Sequence, residues 1–70
     1  MNISPNIRVN GESVPITDGL TVAGLLAKLS LAGDRVAVER NRAIVSRTAW
    51  EQTALQAGDV LEIVHFVGGG

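Results

Sequence analysis

The sequence predicts an α+β fold in which a mixed sheet of four to five strands packs on one main helix. Three observations favour this class. Short segments in both halves of the chain alternate between apolar and polar residues, one segment has helical spacing, and turn signals separate the segments. One helix with one apolar face can cover one side of a small sheet. The 70 residues are predicted to form one domain, 1–70, because the chain is too short for a second.

A β-hairpin is predicted near the start of the chain. Ile7–Asn10 alternates between apolar and polar residues, which is typical of a strand with one buried side. Asn10-Gly11 is a strong turn signal because both residues tolerate positive φ, so Ser13–Ile16 is predicted to be the returning strand. Pro15 cannot donate a ladder hydrogen bond, which favours an edge position for this strand. Residues 1–6 are predicted to be a loosely ordered N-terminal extension.

One helix is predicted after Thr21, whose side chain is a favourable N-cap. Leu20, just before the cap, and Leu25 occupy the two positions of a hydrophobic staple. The apolar residues of the segment recur at i, i+3, i+4 and i+7 and therefore share one face: Val22, Leu25, Leu26 and Leu29. Gly33 is predicted to end the helix.

The second half of the chain is predicted to contain a short hairpin, an irregular crossover and a final strand. The hairpin consists of a strand over Val36–Glu39, a turn at Arg40–Arg42 with Asn41 in the left-handed conformation, and a strand over Ala43–Ser46. The crossover covers Arg47–Gln56, with one helical turn around Thr48–Gln52. A turn at Ala57–Asp59 then leads into the final strand, Val60–Val67. Trp50 is interpreted as an anchor under the crossover.

Composition and charge exclude several classes of function. The formal net charge of −1 argues against nucleic acid as the main partner, because binding to phosphates requires a basic excess. No apolar run is long enough to span a bilayer, and the first residues do not resemble a signal peptide. The sequence therefore favours a soluble, cytoplasmic protein that binds neither nucleic acid nor membrane.

The side chains offer little for catalysis. The chain has no Cys and no Tyr, and its one His is His65, within the last apolar strand, where a structural role is favoured. One His and scattered carboxylates give no cluster of metal ligands. Arg40 and Arg42 are interpreted as a solvated turn, and Asp59 as a turn residue. We therefore expect no enzyme activity, no metal site and no bound cofactor.

The unusual feature is the C-terminal segment Gly68-Gly69-Gly70, which continues directly from the predicted final strand. A flexible glycine tail could be a frayed terminus. However, three residues extend the reach of the fold by up to about 10 Å. A thread without Cβ atoms can also enter a narrow channel. The tail therefore suits the presentation of the Gly70 carboxylate to the active site of another protein.

Several segments together resemble a known family. They are the hairpin with Asn10-Gly11, VAGLLAKL in the helix, VAVERNRAIVSRTAW in the second hairpin, the Gly-Asp turn, and EIVHFVGGG at the end. From Ile7 to Gly70 the chain is similar to the sulfur carriers of thiamine biosynthesis, the ThiS family, whose fold is the ubiquitin-like β-grasp. A terminal diglycine that ends a strand in a chain of this size and element order makes the resemblance specific.

The resemblance implies a mechanism centred on Gly70. In the family, an E1-like activating enzyme uses ATP in trans to adenylate the terminal carboxylate. Sulfur that originates from cysteine, through a cysteine desulfurase system, replaces AMP and leaves a thiocarboxylate, which donates its sulfur to thiazole synthase. On this reading Gly68 and Gly69 thread the tail into the active sites of these partners, and the protein is a co-substrate rather than an enzyme.

The last strand suggests a docking surface. If Leu61 and Ile63 point into the core, period two sends Glu62, Val64 and Phe66 to the other face. Val64 and Phe66 are therefore predicted to dock partner enzymes, although one of them could instead cap an end of the core.

Three other functions remain open at this point. A small subunit of molybdopterin synthase uses the same terminal chemistry with a different recipient. A ubiquitin-like modifier would link Gly70 to lysines on target proteins. A β-grasp interaction module would carry an inert tail.

Overall fold

The computed structural model describes residues 5–32 and 35–66, which form a five-stranded sheet with one α-helix against one face. The elements are β1 (Asn6–Val9), β2 (Glu12–Pro15), α1 (Val22–Lys28), β3 (Val36–Arg40), β4 (Ala43–Val45), a 3₁₀ turn (Arg47–Ala49) and β5 (Val60–His65). The strand order is β2-β1-β5-β3-β4, with β1 and β5 parallel and the other neighbours antiparallel. The predicted mixed sheet on one main helix is confirmed.

The first hairpin turns at Asn10 and Gly11, whose φ angles of 51° and 87° are those that the turn signal predicts. β2 lies at the edge of the sheet, as its Pro15 requires. β1 begins at Asn6, which pairs with Pro15, so this residue of the predicted loose extension belongs to the sheet. Pro5, also part of that prediction, is tied to the chain after β2 because its carbonyl accepts a hydrogen bond from the N–H of Ile16 at 2.9 Å, whereas residues 1–4 lie outside the described residues.

The N-terminus of α1 follows the prediction. Thr21 has an extended backbone, and its Oγ1 accepts a hydrogen bond from the backbone N–H of Gly24 at 3.1 Å. Leu20 packs against the core beside the cap, and a Cβ at Gly24 would lie 2.9 Å from its Cδ1. Glycine at this position therefore lets the Leu20 side chain fold over the first turn of the helix.

The C-terminus of α1 corrects the prediction that the helix ends at Gly33. The helix ends at Lys28, because Ser30 adopts a left-handed φ of 63°. The N–H of Ser30 donates to the carbonyl of Ala27 at 3.1 Å, and the N–H of Leu31 donates to that of Leu26 at 2.7 Å. These two bonds form a Schellman motif, which stops a helix without requiring glycine.

The core lies between α1 and the face of the sheet that it covers. Its members are aliphatic except for one tryptophan: Ile7, Val9, Ile16, Val22, Leu25, Leu26, Val36, Val38, Trp50, Leu55, Leu61 and Ile63. Trp50 is buried, and its Nε1 donates to the carbonyl of Val45 at 3.0 Å, so the predicted anchor under the crossover is confirmed. The helical turn of the crossover lies at Arg47–Ala49, slightly before the predicted Thr48–Gln52.

Candidate functional site

β5 is the strand that leads to the C-terminal tail, and it lies in the middle of the sheet between β1 and β3. Leu61 and Ile63 are buried against α1, whereas Glu62 and Val64 are exposed on the opposite side. The predicted alternation of this strand is confirmed. We call the side of the sheet that faces away from α1 the open face.

The C-terminal end of β5 is held by two contacts that lie outside regular strand pairing. The side chain of Asn10 pairs with the backbone of Ile63, accepting its N–H at 2.8 Å and donating to its carbonyl at 3.1 Å. Farther on, the N–H of Phe66 donates to the carbonyl of Arg35 at 2.9 Å. The main chain is thus fixed as far as Phe66. The predicted sites Gly68, Gly69 and Gly70 lie outside the described residues.

The N-terminal end of β5 is organised by the carboxylate of Asp59, which is 7% exposed. It accepts hydrogen bonds from Arg40 Nε at 2.8 Å, Asn41 Nδ2 at 3.0 Å and the backbone N–H of Gln56 at 2.9 Å. Burial alone would raise the pKa of Asp59. The three hydrogen bonds and the positive charge of Arg40 outweigh burial, so the pKa of this carboxyl lies below its ordinary value.

Two expectations about this region need correction. Arg40 does not belong to a solvated turn, because it is the last residue of β3 and forms an ion pair with Asp59. Asp59 is more than a turn residue, because it ties the β3–β4 turn to the start of β5. The two residues stand 19 positions apart, and no local pattern in the sequence connects them. Only the turn itself, Asn41-Arg42, matches the expected polar turn.

An apolar patch lies on the open face beside the end of β5. Val64 and Phe66 are 58% and 60% exposed, as predicted for residues that do not face α1. Ala37 on β3 pairs directly with Val64, and Ile44 on β4 is 67% exposed. A depression of about 380 Å³ brings Ala37, Ile44 and Phe66 together in its lining. We use the name apolar patch for these four residues, of which sequence reasoning missed Ala37 and Ile44.

The described residues offer no obvious catalytic or metal centre. His65 is the last residue of β5 and is exposed. Within residues 5–32 and 35–66, no group of three His, Cys, Asp or Glu side chains could hold a metal ion. In the same ranges, no helix is long and apolar enough to cross a membrane.

Comparison with known proteins assigns the fold and the family. The sulfur carrier protein ThiS of Bacillus subtilis is 42% identical over 65 residues, which cover 91% of this chain and 98% of that protein. The crystal structure of the thiamine biosynthesis protein ThiS from Geobacter metallireducens superposes with a TM-score of 0.79 at 35% identity, covering 93% of this chain and 99% of that one. The domain is therefore a ubiquitin-like β-grasp. The ThiS family model matches residues 7–70, and the chain belongs to the ThiS family.

A second group of relatives consists of much longer proteins. The thiazole synthase of Magnetococcus marinus is 48% identical over 64 residues, and that of Paramagnetospirillum magneticum is 45% identical over 62 residues. These matches cover 91% and 89% of this chain but only 20% and 19% of the relatives. The chain thus spans about a fifth of the length of the thiazole synthases that it matches.

Proposed function

We propose that this protein is a sulfur carrier of thiamine biosynthesis that carries sulfur as a thiocarboxylate on Gly70. The observation that supports this most directly is the match to the ThiS family, which extends from residue 7 through residue 70 and so includes the three terminal glycines. The sulfur cannot be carried on a thiol side chain, because the chain contains no cysteine.

The proposed chemistry begins with activation of the Gly70 carboxylate by an E1-like enzyme. A carboxylate resists nucleophiles because it is anionic and has no good leaving group. Transfer of AMP from ATP, with release of pyrophosphate, forms an acyl adenylate that can expel AMP. Sulfur supplied through a cysteine desulfurase system then takes the place of AMP. The resulting thiocarboxylate donates its sulfur to thiazole synthase, and the carrier returns as a carboxylate.

The end of β5 supports this role because it provides a fixed starting point for a short tail. The N–H of Phe66 is hydrogen-bonded to the carbonyl of Arg35, and Gly70 is the fourth residue after Phe66. Four extended residues reach about 14 Å at most. Gly68 and Gly69 carry no Cβ, so a tail of this kind can pass through a channel too narrow for other residues. We propose that these two glycines thread the tail into partner active sites.

The apolar patch is the proposed docking surface for those partners. Val64 lies in β5 and Phe66 directly follows it, on the path to the reacting carboxylate, and both are well exposed. Exposed apolar side chains of this size, clustered beside a reactive group, are typical of a protein interface. The protein itself is proposed to act as a co-substrate of other enzymes, with ATP bound by the activating enzyme.

The long relatives favour thiazole synthase as the recipient. Two proteins named thiazole synthase contain a segment that is 45–48% identical to this chain. A carrier segment within a synthase is understandable if the two act on each other, because joining them raises their effective concentration. This observation favours the thiamine pathway over molybdopterin synthesis, in which the recipient differs.

The decisive experiment measures the intact mass of the protein after incubation with the activating enzyme, ATP and a cysteine desulfurase system. We expect a shift equal to the replacement of one oxygen by sulfur. A variant that lacks Gly70 should show no shift, and omission of ATP should abolish it in the full chain. An unchanged mass with an enzyme that activates a known carrier would refute the proposal and favour an interaction module.

A second experiment identifies the recipient. The thiocarboxylate form is mixed either with thiazole synthase and its other substrates or with the large subunit of molybdopterin synthase. Return to the carboxylate mass only with thiazole synthase is the expected result. Consumption only by the molybdopterin enzyme would overturn the assignment to thiamine biosynthesis, and covalent ladders in cell extract would instead indicate a protein modifier.

A further inference from the structure

Next to the apolar patch, the open face carries two carboxylates that lie directly opposite each other. Glu39 on β3 is paired in register with Glu62 on β5. Both side chains point away from α1, because Val38 and Ile63, their neighbours along the two strands, are buried on the helix side. We call Glu39 and Glu62 the acidic pair.

The acidic pair is not neutralised within the described part of the chain. The one ion pair found in residues 5–32 and 35–66 joins Arg40 to Asp59. Arg42 lines the same depression of about 460 Å³ as Glu39 and Glu62, yet it forms no ion pair with either. Like charges directly opposite each other destabilise a sheet. A cation supplied from outside the domain would remove this repulsion.

The acidic pair is continuous with the apolar patch. The next outward pair along β3 and β5 is Ala37 with Val64, two residues or about 7 Å away. Ile44 on β4 also lies directly opposite Glu39, so an apolar residue of the patch adjoins the carboxylate. The open face therefore presents the apolar patch and the acidic pair side by side, with Arg8 of β1 farther along, next to Val60.

The length of the tail limits how far from this surface an enzyme that acts on Gly70 can lie. Under the proposed function, an enzyme that acts on the Gly70 carboxylate must bring its active site within about 14 Å of Phe66. A protein large enough to bind ATP that approaches so closely also reaches the sheet surface around Phe66. The acidic pair then lies at the rim of the contact, one residue pair beyond the apolar patch.

We infer that the activating enzyme docks on the open face with an apolar surface against the apolar patch and an arginine between Glu39 and Glu62. The inference rests on the proposed function and specifies the partner surface. Arginine fits because its planar guanidinium carries five N–H donors and can bond two carboxylates at once. Lysine, with one compact ammonium group, would satisfy this pair less well. The acidic pair thus favours a partner that supplies an arginine, while the repulsion between its two carboxylates lowers the stability of the free domain.

The test replaces each member of the acidic pair with its neutral isostere. Glu39→Gln and Glu62→Gln are compared with Glu51→Gln, which removes the same charge from an exposed position after the 3₁₀ turn, outside the open face. Binding to the activating enzyme is measured by stopped-flow fluorescence at low and high salt. We expect each open-face variant to bind roughly five- to tenfold more weakly, with a smaller effect of salt on the association rate.

Thermal unfolding of the same variants separates binding from folding. Glu62→Gln should unfold at or above the temperature of the unmodified protein, because it removes the repulsion from Glu39. Weaker binding by a domain of equal or greater stability, with Glu51→Gln unchanged, supports the inference. Affinities within about twofold of the unmodified protein for both open-face variants would overturn it. The mass shift at Gly70 reports separately on the proposed function, so the two can fail independently.

Discussion

Replacing Asp59 with asparagine tests whether one buried carboxylate holds together the turns that flank the start of β5. Asparagine keeps one acceptor oxygen but replaces the other with an NH₂ group. The NH₂ group is only a donor and cannot accept a hydrogen bond from Arg40, Asn41 or the Gln56 backbone. The change therefore leaves the Arg40 guanidinium without its counter-ion and at least one donor without a partner. A hydrogen bond to a charged group contributes about 1.5–3 kcal/mol, and an unsatisfied buried group costs about 1–3 kcal/mol.

We expect Asp59→Asn to lower the free energy of unfolding by about 3 kcal/mol. The total for a domain of this length is roughly 4–10 kcal/mol, so the loss is a large part of it. The temperature of unfolding should fall by about 12–24 °C. Urea unfolding can be followed by the fluorescence of Trp50, the only tryptophan, which is buried in the core. Asp18→Asn, at an exposed position in the loop before α1, is the matched control and should change little.

The effect should also depend on pH. The pKa of Asp59 is lower in the folded protein than in the unfolded chain, so the ionised form favours folding. This stabilisation is complete above the unfolded value of about 4 and is lost as the pH falls through the folded value. The difference between the unmodified protein and Asp59→Asn should therefore shrink below about pH 4. A difference that stays constant from pH 7 into this acidic range, or one below about 0.5 kcal/mol at pH 7, would refute the reasoning.

Three further substitutions test other parts of the argument. Thr21→Ala should destabilise the domain by about 1 kcal/mol through loss of the N-cap bond to Gly24, and Thr21→Ser should restore most of it in urea titrations. Arg42→Gly should increase the free energy of unfolding by up to about 1 kcal/mol, because Arg42 has a φ of 73° that glycine adopts without strain. The urea midpoint should rise accordingly, and an unchanged or lower midpoint would contradict this expectation. Phe66→Ala should leave stability within about 0.5 kcal/mol but weaken binding of the activating enzyme about tenfold, whereas Leu29→Ala, at an exposed apolar position at the end of α1 and outside the open face, should bind normally.

The parts of the fold that the sequence predicts are those with local causes. The Asn10-Gly11 turn, the Thr21 cap and the alternation of β5 each depend on residues within a few positions of one another. The predicted end of α1 at Gly33 is wrong, because the helix ends in a Schellman motif, which depends on backbone conformation and does not require glycine. Ser30 adopts that conformation although glycine usually does so.

The parts that sequence reasoning missed depend on contacts between distant residues. The sequence predicts Asn10 as a turn residue, but its side chain also pairs with the backbone of Ile63, 53 positions later. Arg40 reaches Asp59 only because β3 and β5 are neighbours in the sheet.

The candidate site also combines features with local causes and features that depend on contacts between distant residues. Exposure of Val64 and Phe66 follows from period two along one strand, whereas the presence of Ile44 in the patch requires the order β5-β3-β4. The acidic pair likewise requires the register of β3 with β5, which no local pattern specifies. The proposed roles of Gly68, Gly69 and Gly70 remain predictions that the mass measurement tests.

The central position of β5 has a mechanical consequence. A force applied to the C-terminal tail would act along the axis of β5, which is hydrogen-bonded to β1 on one side and β3 on the other. Hydrogen bonds between strands lie roughly across that axis, so a pull loads them together in shear. A strand at the edge of the sheet, held on one side only, would have fewer such bonds to resist the same pull. The domain is therefore expected to resist unfolding when force is applied at its C-terminal end, and a protease that unfolds proteins from the C-terminus would first meet a strand that is paired on both sides.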